Sequence, residues 1–481
     1  VLKRWMDILS SLEKGTAHEQ NVFHFDTSQL EKWGLQGAVA PISELMDVVL
    51  EGFQNADSSY PAFKDPDWQS AKSAFVKFAY ASGIHDLRPA SYNSVIDDMR
   101  VRDTLESNSG WPDFKRRNLD SVKQSAIAAA ENGAYKEYPA IALFRNYNQK
   151  TRLVWMFPMS TNLVEASYYQ PLMSAMSNWQ SVFFSPWEGF DAVRHQIDNA
   201  YKNNEFLSAS DFSSTDAHFQ WAATEQVADV LCALFKEEYR DGLRESLRHM
   251  HHIPLVIGVD RMVSGPHGVA SGSNWTNFVE TIFDQLFAWY VWAKTCKKYQ
   301  RPGVDGLYAI GDDMTWWSEE HFPQFSKDLE LLGKQVGQEI KADKTTNDRD
   351  KVKSLQRLFQ RGYNRPDGVV RGVYPTIRAL NSSLHPERFH PKNKGWNSDM
   401  FCARQFMILE NCVDHPLFPE FVKFICAGNE HLIPFAKKTD SELNSITRKS
   451  KLVPGLNPTY NQERRESSLA KFESIRIART L

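Results

Sequence analysis

Two short stretches of this chain place carboxylates where chemistry could use them. The first is DFSSTD, in which four residues separate Asp211 from Asp216. The second is GDD, in which Gly311 precedes the adjacent pair Asp312 and Asp313. Carboxylate oxygens suit hard divalent cations such as Mg2+, which one or two carboxylates hold together with substrate phosphates. Two such ions about 3.5–4 Å apart clamp the attacking and leaving oxygens of an in-line phosphoryl displacement. Each stretch also has a plainer reading. Aspartate is a turn former, and at the opening of a helix Asp216 would cap it and meet its dipole. The pair of stretches favours the metal reading, because each follows an apolar run. If those two strands are neighbours in one sheet, Asp211 and Asp312 converge at one edge.

The elements that must position these groups are legible. Leu307–Ile310 and Met314–Trp317 read as the two arms of a hairpin, with Gly311, Asp312 and Asp313 as its turn. Around DFSSTD the pattern is a short strand, a turn and a helix carrying Phe219, Ala223, Val227, Val230 and Leu234 on one face. A Gly/Ser-rich loop, SGPHGVASGSNWTN, feeds the strongest helical pattern in the chain. Phe278, Ile282, Leu286 and Tyr290 form one row of it, and Val279, Phe283, Phe287 and Val291 the next. Residues 139–158 read as another hairpin, turning at Asn146 to Gln149 and carrying Arg145, Lys150 and Arg152. From about 375 onward the pattern is mostly helical.

Composition sets the bounds. With 481 residues, 42% apolar and 24% charged, the chain is long enough for three modest cores or one large multi-lobed enzyme. Thirty Phe and 14 Trp promise well-filled cores. The net charge of -3 means that a phosphate-rich partner must meet a local basic channel, since the whole molecule does not attract anions. Five cysteines without CxxC spacing read as reduced thiols, with Cys402 and Cys412 as core residues. No uninterrupted apolar run is long enough to span a membrane, and VLKRWMDILSSLEKG reads as an amphipathic helix. His249, His251 and His252 lack cysteine or carboxylate partners and read as a polar helix end. Trp316 and Trp317 read as hairpin packing.

The order of parts resembles motifs A, B and C of viral RNA-dependent RNA polymerases. These stand here as DFSSTD (Asp211, Asp216), SGSNWTN (Ser271, Gly272, Thr276, Asn277) and GDD. SNSGWP, with Ser109 and Gly110, looks like motif G, and RNYNQKTR looks like the basic motif F. KADKTT, with Lys344, looks like motif D, and LQRLFQRGY, with Gln356 and Arg357, looks like motif E. The resemblance spans residues 104 to 363 in family order, and it is most similar to polymerases of picobirnaviruses and partitiviruses, small viruses with double-stranded segmented genomes.

The resemblance implies an α+β right-hand polymerase with fingers, an antiparallel palm sheet and a helical thumb in a closed fingers–thumb arrangement. Expected boundaries are an N-terminal region and fingers to 205, palm at 206–240, fingers at 241–265, palm at 266–374, then thumb and tail at 375–481. Asp211, Asp312 and Asp313 would bind Mg2+, with Mn2+ as a substitute, and Lys344 would protonate departing pyrophosphate. Arg145, Lys150 and Arg152 would clamp the triphosphate, Arg by bidentate bonds and Lys as a point charge. Asp216 and Asn277, with Ser271 and Thr276, would recognise the nucleotide, whose 2'-hydroxyl tells RNA from DNA. Ser109, Gly110, Gly272, Gln356 and Arg357 would contact template and primer. Expected partners are RNA template and product, ribonucleoside triphosphates and a viral capsid protein, with no membrane, in the virion interior or host cytoplasm.

Two rival readings remain at this level. A reverse transcriptase shares the palm, but normally carries an aromatic residue where Asp216 stands and a YxDD-type turn. A non-catalytic RNA-binding or particle-scaffold protein would have no need of an intact Asp211, Asp312 and Asp313. The basic stretch from Arg448 through Pro454 and Gly455 to NPTYNQERR is expected to fold back as an initiation platform, with Tyr460 stacking beneath the first nucleotide.

Overall fold

The computed structural model describes residues 1–481 except 38, 55–57, 103, 388–389, 391–394, 454–455 and 457–466. Pro454, Gly455 and Tyr460, and with them the expected platform, lie outside the described residues. The chain divides into two compact units. One comprises Val1–Val39, Arg145–Thr151 and Lys351–Leu481, and the other Ala40–Phe144 and Arg152–Asp350. The strands in chain order are β1 (Ala140–Tyr147), β2 (Lys150–Met156), β3 (Phe206–Asp211), β4 (Leu255–Gly258), β5 (Arg261–Val263), β6 (Asp305–Ile310), β7 (Asp313–Ser318), β8 (Lys351–Ser354) and β9 (Arg357–Gln360).

The larger unit is built around an antiparallel sheet in the order β3-β7-β6. One face lies against the helix Trp275–Tyr299, whose two apolar rows are both buried. The helix is buried nearly all round, since Glu280, Thr281, Asp284 and Gln285 on its remaining face are buried as well. Trp316 of β7 is fully buried, and its indole N–H donates to the Ser210 hydroxyl of β3 at 2.9 Å. An apolar body with one satisfied donor is what a buried tryptophan requires, so the packing expected of this residue is what it does. A second sheet runs β2-β1-β4-β5. The β1–β2 hairpin turns at Asn148 and Gln149, both with positive φ, as a tight two-residue turn with right-handed strand twist demands.

The smaller unit is mostly helical, apart from β8 and β9, which pair through a turn at Leu355 and Gln356. Its core joins the two ends of the chain. Trp5 of the first helix packs on Phe421 and donates to the Thr376 hydroxyl at 2.7 Å. Asp26 accepts from the backbone of Thr376 and Ile377 and lies 2.9 Å from the His415 ring. Leu469, Phe472, Ile475 and Ala478 are buried in the same core. The compact units therefore divide elsewhere than at the expected boundaries of 205 and 375. Residues 1–39 share apolar surface with the C-terminal helices, because the amphipathic first helix has its apolar stripe there to bury.

Among the described residues all five cysteines are free, and Cys402 and Cys412 are core residues. Among the described residues no helix is long and apolar enough to cross a membrane. The histidine cluster departs from the polar helix end expected of it. His251 is fully buried, bonded to the Thr224 hydroxyl at 2.7 Å and to the His267 carbonyl at 2.9 Å. Burial lowers it to about 3, so it serves as a neutral packing group.

Candidate active site

The register of the central sheet brings the two acidic stretches together. Asp211, the last residue of β3, lies directly opposite Asp313, the first of β7. The amide of Phe212 donates to the carbonyl of Asp312 at 3.1 Å, which locks the turn to the end of β3. β3 pairs with the return arm of the hairpin, so Asp211 meets Asp313 across the ladder while Asp312 occupies the turn. Gly311 takes a φ of +57° there, and its N–H donates to the Thr281 hydroxyl at 2.8 Å. A Cβ on Gly311 would lie 2.9 Å from the Asn277 amide nitrogen. The turn is thus seated on the helix that follows the Gly/Ser loop, and a side chain at 311 would push the two apart.

The electrostatics are those of crowded acids. Burial, then the neighbouring Asp211 carboxylate, hold the Asp312 carboxyl above its ordinary range. The Thr215 hydroxyl, donating to it at 3.2 Å, and the positive charge of Arg152 work in the other direction. Behind the turn, Glu280 and Asp284 are buried on the helix Trp275–Tyr299, and both are raised well above the carboxylate range. Burial is the main cause, and the charges of Asp312 and Asp313 add to it. Like charges this close favour neutralisation, by protons or by cations. Among the described residues no three His, Cys, Asp or Glu side chains form a closed metal cage. The donor set nonetheless fits a hard divalent cation, since all its donors are carboxylate oxygens and such ions complete their shells with substrate phosphates.

Other expected residues fall into place unevenly. Asp216 is exposed and lies in the first turn of the short helix Thr215–His218, with Ser214 at the position before it. The carbonyl of Asp216 sits so close to Gly268 that a Cβ there would be 1.7 Å from it. Asn277 is exposed beside the turn. Lys344 is exposed on a loop tied to β3 at both ends. Ala209 pairs with Thr346, and Ser213 donates to the Glu339 carbonyl at 2.7 Å, so these bonds bracket both Asp211 and Lys344. The Ser271 hydroxyl accepts from the Trp155 amide at 3.1 Å, and the Thr276 hydroxyl donates to the Ala270 carbonyl. Both hydroxyls shape the loop. Gly272 is required there, because a Cβ would lie 1.7 Å from the Trp155 carbonyl.

Several expectations need correction. Arg357 is buried, donates to the carbonyls of Gly372 and Asn411 and lies over the Tyr374 ring, so it supports the fold and offers no surface to RNA. Ser109 is also buried and builds a turn, its hydroxyl accepting from the Lys115 amide at 3.2 Å. Gly110 packs against the Phe157 carbonyl with a φ of +66°. Of the three basic residues at 145–152, only Arg152 belongs to the unit that carries the acids, where its charge reaches Asp312. Arg145 forms a bidentate ion pair with Glu387 within the smaller unit. Lys150 is exposed at the tip of its hairpin, and Gln356 occupies the turn of the β8–β9 hairpin.

The residues overlooked in the sequence are acids inside apolar helices: Glu165, Glu280 and Asp284. Their signal was available, because a carboxylate amid helical apolar rows is costly unless it serves something.

The model of the family "Viral RNA-dependent RNA polymerase" matches residues 147–372. The chain is 25% identical over 433 residues to the "Potential RNA-dependent RNA polymerase" of a human picobirnavirus, covering 85% of this chain and 76% of that protein. Its fold is similar to the crystal structure of a human picobirnavirus RNA-dependent RNA polymerase, with a TM-score of 0.77, 21% identity and coverage of 93% and 85% of the two chains. An insertion-loop deletion mutant of such a polymerase gives a TM-score of 0.78 at 20% identity, over 99% and 90% of the chains. With a sheet that pairs Asp211 with Asp313 and the remaining motifs in family order, the chain carries a viral RNA-dependent RNA polymerase domain over residues 147–372, and its similarity to picobirnavirus polymerases extends over most of its length.

Proposed function

We propose that Asp211 and Asp312, supported by Asp313, hold Mg2+ for template-directed synthesis of RNA from ribonucleoside triphosphates. The observation that carries this reading is the cross-strand register, which sets three carboxylates from two distant stretches at one sheet end. Bound there, divalent ions lower the pKa of the primer 3'-hydroxyl and neutralise charge on the triphosphate and departing pyrophosphate. The remaining work falls to the chain. Arg152 contributes fixed positive charge beside Asp312, useful where charge spreads over phosphoryl oxygens in the transition state. Lys344 donates a proton to the leaving pyrophosphate, a role that its loop, tied alongside β3, supports. Asp216 accepts from the ribose 2'-hydroxyl, and Asn277 completes that recognition as donor or acceptor. Template pairing supplies the sequence information, so no base-reading code is needed. An association with capsid protein, inside the particle or in the host cytoplasm, belongs to this proposal.

The deciding experiment is nucleotide incorporation on a single-stranded RNA template, with and without a primer, with ribo- or deoxyribonucleotides and with Mg2+ added or chelated. Mg2+-dependent ribonucleotide incorporation that vanishes in Asp312→Asn is the expected result. Preferential use of deoxyribonucleotides would favour a reverse transcriptase, and RNA binding without incorporation a scaffold.

A further inference from the structure

The loop that precedes the helix Trp275–Tyr299 is held by residues to which no motif assigns a role. On the helix Met159–Ser177, Asn162 and Glu165 are both buried. Glu165 accepts from the Ser273 hydroxyl and, at 3.1 Å, from the Asn274 amide. It therefore places a carboxyl group on the Asn274 N–H, at the N-cap position of a 25-residue helix. The Ser273 hydroxyl in turn accepts from the Trp275 amide at 3.0 Å. Asn162 donates to the Gly272 carbonyl at 3.1 Å and to Glu165 at 3.0 Å. Its own side-chain oxygen accepts from Arg117 at 2.9 Å. Arg117 continues the chain of bonds, with its Nε donating to the Asn108 carbonyl at 3.1 Å. The loop around Asn108–Arg117 and the loop at 271–274 are thus joined through two side chains of a third element.

This linkage is specific and satisfied. The Asn162 amide spends its oxygen on one loop and its nitrogen on the other, so neither loop can shift without breaking a partly buried bond. Aspartate at 162 would offer no donor to the Gly272 carbonyl, and leucine would satisfy neither side. From this geometry we propose that Arg117, Asn162 and Glu165 are positioning residues that couple template seating at the 107–117 loop to nucleotide selection at 271–277. The inference rests on the polymerase reading above, in which Asn277 meets the incoming ribose, and on the likeness of SNSGWP to motif G: Ser109 itself is buried, but the exposed Trp111 and Phe114 leave the first loop a surface for template. None of the three touches substrate; they fix the angle at which the helix presents Asn277.

The test is a double-mutant cycle on the full chain with Arg117→Ala, Asn162→Ala and the pair, reading kcat/KM for a ribonucleotide and its deoxy analogue on one RNA template. A shared linkage predicts that each single change lowers ribose discrimination about ten-fold and that the double change lowers it no further, since residues acting through one network are not additive. Melting temperatures accompany each variant. Should Asn162→Ala fail to fold, Arg117→Lys, altered at the half-buried end of the network, takes its place in the comparison with Arg117→Ala. Unchanged discrimination in folded variants overturns the coupling, and so do effects that multiply in the pair. A wild-type chain that incorporates no nucleotide, or whose incorporation survives Asp312→Asn, overturns the polymerase assignment instead. The two failures are therefore read from different lanes of one experiment.

Discussion

Asp211 and Asp313 face each other across the β3–β7 ladder although 101 residues lie between them in the chain. Directly opposed like charges destabilise a sheet, and the Asp312 carboxyl adjoining them is raised by burial and then by the Asp211 carboxylate. A fold keeps such an arrangement where something positive is to be bound there.

Asp312→Asn tests that statement in two directions. Synthesis should fall by about a thousand-fold or more, the loss of several kcal/mol of charge stabilisation. The fold should not suffer. A carboxyl whose folded pKa is raised contributes stability at low pH that is lost as pH rises through the folded value, so an amide removes that loss. Without divalent ions at neutral pH the variant should melt at or above the wild-type temperature. A variant that melts lower and keeps its activity would remove Asp312 from the metal site.

Asp216→Ala addresses sugar choice. A hydrogen bond to a charged acceptor contributes about 1.5–3 kcal/mol, so kcat/KM for ribonucleotides should drop about ten-fold or more. Use of deoxyribonucleotides, which lack the 2'-hydroxyl, should change little. Steady-state rates for matched pairs of nucleotides provide the check, and equal losses for both sugars would take the ribose from this residue.

Glu165 sets a pH dependence. Burial raises it to about 7, against the lowering effects of its bonds with Ser273, Asn274 and Asn162 and of the Arg117 charge. The unfolded chain ionises near the ordinary glutamate value, so protonated Glu165 favours the folded state below that value. The advantage is lost as pH rises through about 7, a change of about 3 kcal/mol across the window. Glu165→Gln removes the titration. Subtracting its unfolding free energy from that of wild type between pH 4.5 and 7.5 should give a difference that falls as pH rises. A flat difference would show that Glu165 keeps its charge throughout.

What the sequence revealed and what it withheld follow from the range of the interactions involved. The GDD hairpin, the buried rows of the long helix and the hairpin at 140–156 are written in local alternation and periodicity, and all formed where expected. Roles that depend on distant neighbours were not legible. Arg357 carries the right charge for an RNA contact, yet its direction is set by the carbonyls of Gly372 and Asn411. Arg145 meets Glu387, 242 residues away. Ser109 has a hydroxyl that its own turn consumes. In each case a residue type was correct for the chemistry, and a partner invisible to local pattern decided otherwise, distant for Arg357 and Arg145 and within the turn for Ser109.

The C-terminal residues give the last prediction. If the segment from 448 onward were only the expected initiation platform, its removal would impair primer-independent initiation alone. The described part of that segment is structural. Leu456, Leu469 and Ile475 are fully buried, and the helix Glu473–Arg479 starts on the Glu410 carboxylate, which accepts the Glu473 amide at 3.0 Å. Truncation after Ser450 therefore strips the helical core and should lower the melting temperature and reduce primed and unprimed synthesis together. Ile475→Ala should already cost about 2–5 kcal/mol, the usual range for emptying a buried aliphatic site. Tyr460→Ala separates the two ideas. It leaves Leu456, Leu469 and Ile475 in place, so a platform role predicts an unchanged melting temperature, normal extension of an annealed primer and weaker unprimed initiation. If Tyr460→Ala initiates as wild type does, the platform is not this tyrosine. If the truncated chain melts with the wild type, the last helix contributes nothing to the core it is buried in.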